Sequence, residues 1–252
     1  MARTRTLTQL EDALADRCDV TIGTGYRHTQ TYAWARLNRS IGRWKALLAE
    51  CGDDSNLTTS RTTTATSSTK DASNWAPREY VAQPPGLLYL RSLTYWDGDV
   101  PVPMMEIGEA QRLGWVPAGL DVGATVTGRP SFYRLGGTNA AGSAIVQIYP
   151  FADAVYTLEF RYIPAHTDLS SGANTVEVGA SGDEWIVNDA AIQTLANDGL
   201  LGTPEVQALA AWNAKLEREV RFAAACRGSR EKYDANGRRL DLMARAYSRG
   251  VL

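Results

Sequence analysis

Residues 144–163 read AIVQIYPFADAVYTLEFRYI. Two runs of β-forming residues flank a turn-like PFAD. In the second run Tyr156, Leu158, Phe160 and Tyr162 alternate with Thr157, Glu159 and Arg161. Period-two alternation puts one set on each face of a strand, so this run reads as a half-buried strand. Taken with the first run it reads as a β-hairpin. The stretch decides the fold class because helical patterning lies on both sides of the β-rich region around it.

On the N-terminal side, residues 6–18 read as a helix. Thr6 or Thr8 supplies an N-cap, with Gln9 or Glu11 three residues on, and Leu7, Leu10 and Leu14 share a face. Residues 30–51 form a longer helix. Trp34, Leu37, Ile41, Trp44 and Leu48 step by three and four residues, which keeps them on one stripe, and Gly52 is a natural stop. On the C-terminal side, EWIVNDAAIQTLAND from Asp183 ends at Gly199. Thr203, Pro204 and Glu205 then open a last helix, a cap followed by proline and an acid in the first turn. Its apolar stripe is Leu209, Trp212, Leu216, Val220 and Ala223, and it runs to about Gly228.

Between the helical ends the composition changes. NLTTSRTTTATSSTKDAS is rich in Thr and Ser and reads as one edge strand plus loop. LLYLRSLTYWDGDVPVPM carries Asp97-Gly98 between two β-rich runs, a strong local hairpin signal. EIGEAQRLGW reads as a short helix. The expected class is α+β: a helical bundle formed by the N- and C-terminal segments, with an inserted antiparallel β-sandwich or barrel-like domain. The expected divisions are 1–52 and 183–228 for the two helical halves, 53–182 for the β domain and 229–252 for a tail.

Little in the sequence points to catalysis. The chain has 252 residues, 44% hydrophobic and 21% charged, with a formal net charge of -2. It holds two histidines, His28 and His166, both in loop-like stretches and read as surface polar residues. No G-x-S-x-G, H-E-x-x-H, Walker A or calcium-loop pattern occurs. GLDVGATVTG lacks the G-x-G-x-x-G spacing and reads as a turn-rich loop. Asp97 and Asp99 carry carboxylates that a metal would accept, but a hairpin turn needs none. Cys18, Cys51 and Cys226 are odd in number and far apart, which argues against a disulfide framework or a thiolate zinc site. The expectation is no catalytic residue, no metal and no cofactor. The opening MARTRTLTQLEDAL has no apolar core of the signal-peptide kind, and no run approaches a membrane span.

The charge is uneven. From residue 227 onward there are seven basic residues against three acidic ones. Such a tail is either a solvated end or a docking arm for a partner or for phosphate. It combines its arginines with an apolar set, Leu240, Leu242, Met243, Ala244, Tyr247, Val251 and Leu252, that solvation alone does not require.

The order of these features resembles the head–tail adaptor proteins of tailed bacteriophages. LLYLRSLTYWDGDVPVPM is similar to their strand–DG–strand unit. RPSFYRLGG resembles their G-x-P-x-x-Y lead-in to a strand, and IVQIYPFADAVYTLEFRYIP their strand, P-x-x-D, Y-x-L-x-F-x-Y hairpin. EWIVNDAAIQTLANDGLLGTPEVQALAAWNAKLEREV resembles their closing helix pair. Phe151 and Ala152 depart from the pattern, standing where a more polar turn is usual. The resemblance covers about residues 1–225. It implies a structural virion protein without enzymatic activity: a dodecameric ring at the head–tail junction, assembled in the host cytoplasm. Its implied partners are its own copies, the portal protein and tail or nozzle proteins. Genomic DNA passes through the channel without sequence-specific binding, and no membrane is involved. The resemblance also implies a C-terminal extension that docks to the portal, here Arg230, Arg238, Arg239, Leu240, Leu242, Met243, Arg245 and Tyr247. Other readings are a different phage tail or baseplate component, a hydrolase, and a nucleic-acid-binding module.

Overall fold

Thr6 begins the first ordered helix by a reciprocal cap. Its Oγ1 accepts the Gln9 N–H at 3.1 Å, and the Gln9 side chain accepts the Thr6 N–H at 3.0 Å. The computed structural model describes residues 4–52, 57–65, 79–108, 127–139 and 142–230. The chain is mixed α and β. It divides into two compact units, residues 1–53 with 166–252, and residues 54–165.

The first unit holds helices α1 (Leu7–Cys18), α2 (Gln30–Glu50), α3 (Gly179–Asn197) and α4 (Pro204–Arg230). Gly52 and Gly199, just past α2 and α3, take φ of +79° and +82°, which only glycine adopts without strain. Leu7, Leu10 and Leu14 of α1 pack with Leu37, Ile41 and Trp44 of α2, Trp185, Ile186 and Ala190 of α3, and Leu216 of α4. Of the stripe expected on α2, Trp34 and Leu48 are only partly buried. Trp34 instead donates its indole N–H to Glu11 at 2.6 Å.

The stripe expected on α4 is turned. Val206, Asn213 and Leu216 are buried, Leu209 and Val220 half-buried, and Trp212 and Ala223 exposed. Trp212 and Ala223 sit on the edge of the apolar arc, and the neighbouring helices cover its other edge.

A two-stranded ribbon closes this unit. Strand β1 (Thr4–Thr6) runs antiparallel to β11 (Thr175–Glu177), with Arg5 opposite Val176. Asn38 of α2 donates to the Leu169 carbonyl at 3.0 Å and accepts the Leu169 N–H at 2.9 Å. Residues 166–182 therefore belong with the helices, although the sequence pattern alone places that change of unit at 182/183.

The second unit is built on a seven-stranded sheet in the order β2-β10-β4-β5-β7-β8-β3. The strands are β2 (Thr58–Thr63), β3 (Tyr80–Ala82), β4 (Leu87–Asp97), β5 (Val100–Glu106), β7 (Phe132–Thr138), β8 (Ala144–Tyr149) and β10 (Thr157–Pro164). The short strands β6 (Thr127–Gly128) and β9 (Phe151–Ala152) pair with each other. Its core is Leu93, Tyr95, Val146, Ile148, Leu158 and Phe160 with their neighbours. The Asp97-Gly98 hairpin forms as read: Asp97 pairs with Val100, and Gly98 has φ +61°. The Thr-rich β2 is an edge strand.

Two expectations are corrected. The 144–163 stretch is not a hairpin. β8 pairs with β7 and β3, whereas β10 pairs with β2 and β4. The connection does not reverse the chain directly, because Phe151 and Ala152 leave sideways to pair with Thr127 and Gly128. Both residues are buried, which is why an apolar pair stands where a polar turn was expected. Nor is the sheet wholly antiparallel. β5 leaves β4 after Met104 and runs parallel to β7 at Met105 and Glu106. The segment EIGEAQRLGW lies mostly outside the described residues, as does most of GLDVGATVTG.

Candidate functional site

The expected docking residues begin at the last residue of α4 and continue beyond it in sequence. Arg230 is its last residue, and its side chain is not described. Arg238, Arg239, Leu240, Leu242, Met243, Arg245 and Tyr247 lie outside the described residues. The described part of the site is thus the helix that carries the tail. Its seating is set by Leu216 in the core and by Asn213, whose amide donates to the Trp185 carbonyl at 3.2 Å.

The histidines are less exposed than read. His28 is buried, and its Nε2 lies 3.0 Å from Asp198 Oδ2. The same carboxylate takes Arg27 at 3.0 Å. His28 thereby ties the α1–α2 loop to the end of α3. His166 is half-buried with Nε2 3.1 Å from Asn38 Oδ1. Burial, helped by Lys45, pushes its pKa below 6.5, with Asp168 opposing. Burial also pushes the Cys18 thiol up to about 11, which suppresses the reactive thiolate. Cys51 is half-buried, and the Cys226 side chain is not described. Among the described residues no group of three or more His, Cys, Asp and Glu side chains is placed to hold a metal ion. Also among them, no helix is long and apolar enough to cross a membrane.

What sequence reading missed is a set of long-range ion pairs within the helical unit. Arg5 meets Asp183 at 3.0 Å, and Arg43 meets Asp189 at 3.1 Å. Ser40 and Gln193 donate to the same Asp189 carboxylate, at 2.7 and 2.8 Å. The partners in each ion pair are well over a hundred residues apart in sequence, so no local spacing reveals them. Beside this network a shallow groove of about 360 Å³ runs between α2 and α3. Its walls include Tyr32, Arg36, Arg39 and Asn197, two cations and no carboxylate. Arg36 stands over the Tyr32 ring at 5.8 Å and donates to Thr194. In the β unit, a second groove opens where β5 departs from β4 towards β7, between Arg91, Met104, Phe132 and Tyr133. Both are open surfaces rich in arginine and aromatic residues, a composition suited to protein contacts.

No protein-family model matches the chain, and no curated protein is significantly similar to it.

Proposed function

We propose that this protein is a head–tail adaptor of a tailed bacteriophage, a structural ring component that joins the portal to the tail and leaves a channel for DNA. On this reading the N- and C-terminal segments form a helical bundle and the β unit is an inserted barrel-like domain. The observation that carries it is the order of adaptor-like motifs along the chain, three of which coincide with formed elements, whereas the 144–163 stretch is not the hairpin that the resemblance implies. The strand–DG–strand unit is β4 and β5, RPSFYRLGG runs into β7, and the closing helix pair is α3 and α4.

The mechanism is one of interfaces. Neighbouring subunits meet head to tail and close by rotation. Arginine and aromatic anchors over buried apolar surface supply the specific contact. The basic tail, through Arg230, Arg238, Arg239 and Arg245 with Leu240, Leu242, Met243 and Tyr247, docks to acidic portal surface. A net charge of -2 suits a channel that must release DNA better than a strongly basic chain would. A second reading, another tail or baseplate component, rests on the same β unit. Electron microscopy of the purified chain mixed with portal decides between them. The adaptor reading expects rings stacked coaxially on portal rings; a chain that ignores portal but joins isolated tails favours the second.

A further inference from the structure

The outward face of α4 carries aromatic surface that the described residues of its own unit leave exposed. Trp212 is 42% exposed and Phe222 72%. Ala211, Lys215, Glu219 and Ala223 are exposed as well. At about 100° per residue these six fall within an arc of about 120°, one edge of which adjoins the buried Leu216.

Their order along the helix is symmetric about residue 217. Trp212 and Phe222 each lie five positions from it, Lys215 and Glu219 two, Ala211 and Ala223 six. Glu217 itself is half-buried on the other side. The strip is therefore self-complementary under a two-fold axis at the level of residue 217. An antiparallel copy sets Trp212 against Phe222, Lys215 against Glu219 and Ala211 against Ala223, and each pair occurs twice. Aromatic meets aromatic, cation meets anion, and small alanines stand at the two ends of the strip. A parallel copy in register would instead set Lys215 against Lys215 and Glu219 against Glu219. In the single chain Lys215 Nζ already lies 4.4 Å from the Trp212 ring centroid and 3.9 Å from Glu219, so the charges stand beside the apolar strip.

We propose that α4 is a two-fold self-association surface, on which the same face of a second copy packs antiparallel. Such an isologous contact is distinct from the head-to-tail contacts that close a ring, so it joins two chains or two rings alike and does not depend on the adaptor reading. The strip is about 18 Å long, which places the association in the weak, concentration-dependent class.

The test is sedimentation of the full-length chain over a range of concentrations. Wild type is compared with Lys215→Glu, Glu219→Lys, the double swap, and Trp212→Ala/Phe222→Ala. Circular dichroism confirms that each variant is folded. The expected result for wild type is a reversible doubling in mass of the smallest species, whether that species is one chain or a ring. Each single reversal sets like charges opposite each other and raises the dissociation constant at least about tenfold. The double swap restores association, and the aromatic double variant abolishes it. Absence of doubling in wild type overturns the proposal. So does a double swap that associates no better than the single reversals.

Discussion

Trp44 and Gly182 are fitted to each other. Trp44 is 3% exposed, donates its indole N–H to the Val178 carbonyl at 3.2 Å, and lies 5.4 Å from the Trp185 ring. A Cβ on Gly182 would sit 2.6 Å from the indole nitrogen and 2.8 Å from the adjoining ring carbon. The indole is rigid, so it must shift and give up that hydrogen bond. Gly182→Ala is expected to destabilise by about 1–3 kcal/mol, although alanine is otherwise the better helix former by about 1 kcal/mol. Trp44→Ala should cost about 3–5 kcal/mol. Urea melts read both, and a Gly182→Ala chain as stable as wild type would refute the fit. His166 gives a second residue-level prediction. Its folded pKa is depressed, so the unfolded chain takes up the proton first as pH falls. The stability tied to neutral His166 is complete above its ordinary 6.5 and is lost as pH falls from there through the folded value. Between about pH 8 and about pH 5 the urea midpoint of wild type should fall more than that of His166→Gln. Equal falls would assign the slope to other groups.

At the scale of elements, α4 separates two kinds of apolar residue that look alike in sequence. Leu216 lies in the core, whereas Trp212 is 42% exposed. Leu216→Ala is expected to cost about 2–4 kcal/mol, and Trp212→Ala less than about 1 kcal/mol despite the larger side chain removed. Thermal melts rank the two, and the opposite order would mean that Trp212 is buried in solution. The β elements make the same point. The alternation from Tyr156 to Tyr162 does bury that face of β10, with Leu158 and Phe160 fully enclosed. Which strands lie on either side of β10 was not readable from that alternation, because period two fixes a face and not a neighbour.

For the whole molecule, the prediction concerns the tail. Among the described residues no buried member of either hydrophobic cluster lies beyond Leu216, so truncation after Gly228 leaves all of those in place. The shortened chain should stay folded and lose capture of purified portal. Full-length capture should weaken as salt is raised, as expected of arginines meeting acidic surface. Equal capture by both chains in a pull-down at two salt concentrations would move the docking surface to the helical unit.

The sequence by itself determined the elements whose causes are local. Thr6 with Gln9 starts α1, Gly52 and Gly199 end α2 and α3, and Asp97-Gly98 turns β4 into β5. Each depends on backbone geometry within a few residues, where side-chain identity is decisive. The apolar stripes gave the core face of α2 to within its two outermost members. Tertiary structure alone decided the rest. It separated β8 from β10 by drawing Phe151 and Ala152 to β6, split β5 between an antiparallel and a parallel partner, and joined Arg5 to Asp183 and Arg43 to Asp189. It also chose which edge of α4 is covered, and so left Trp212 outside. These outcomes depend on which surfaces meet across long stretches of chain. Hydrophobic burial drives such meetings without regard to sequence separation, so local patterning carries no record of them.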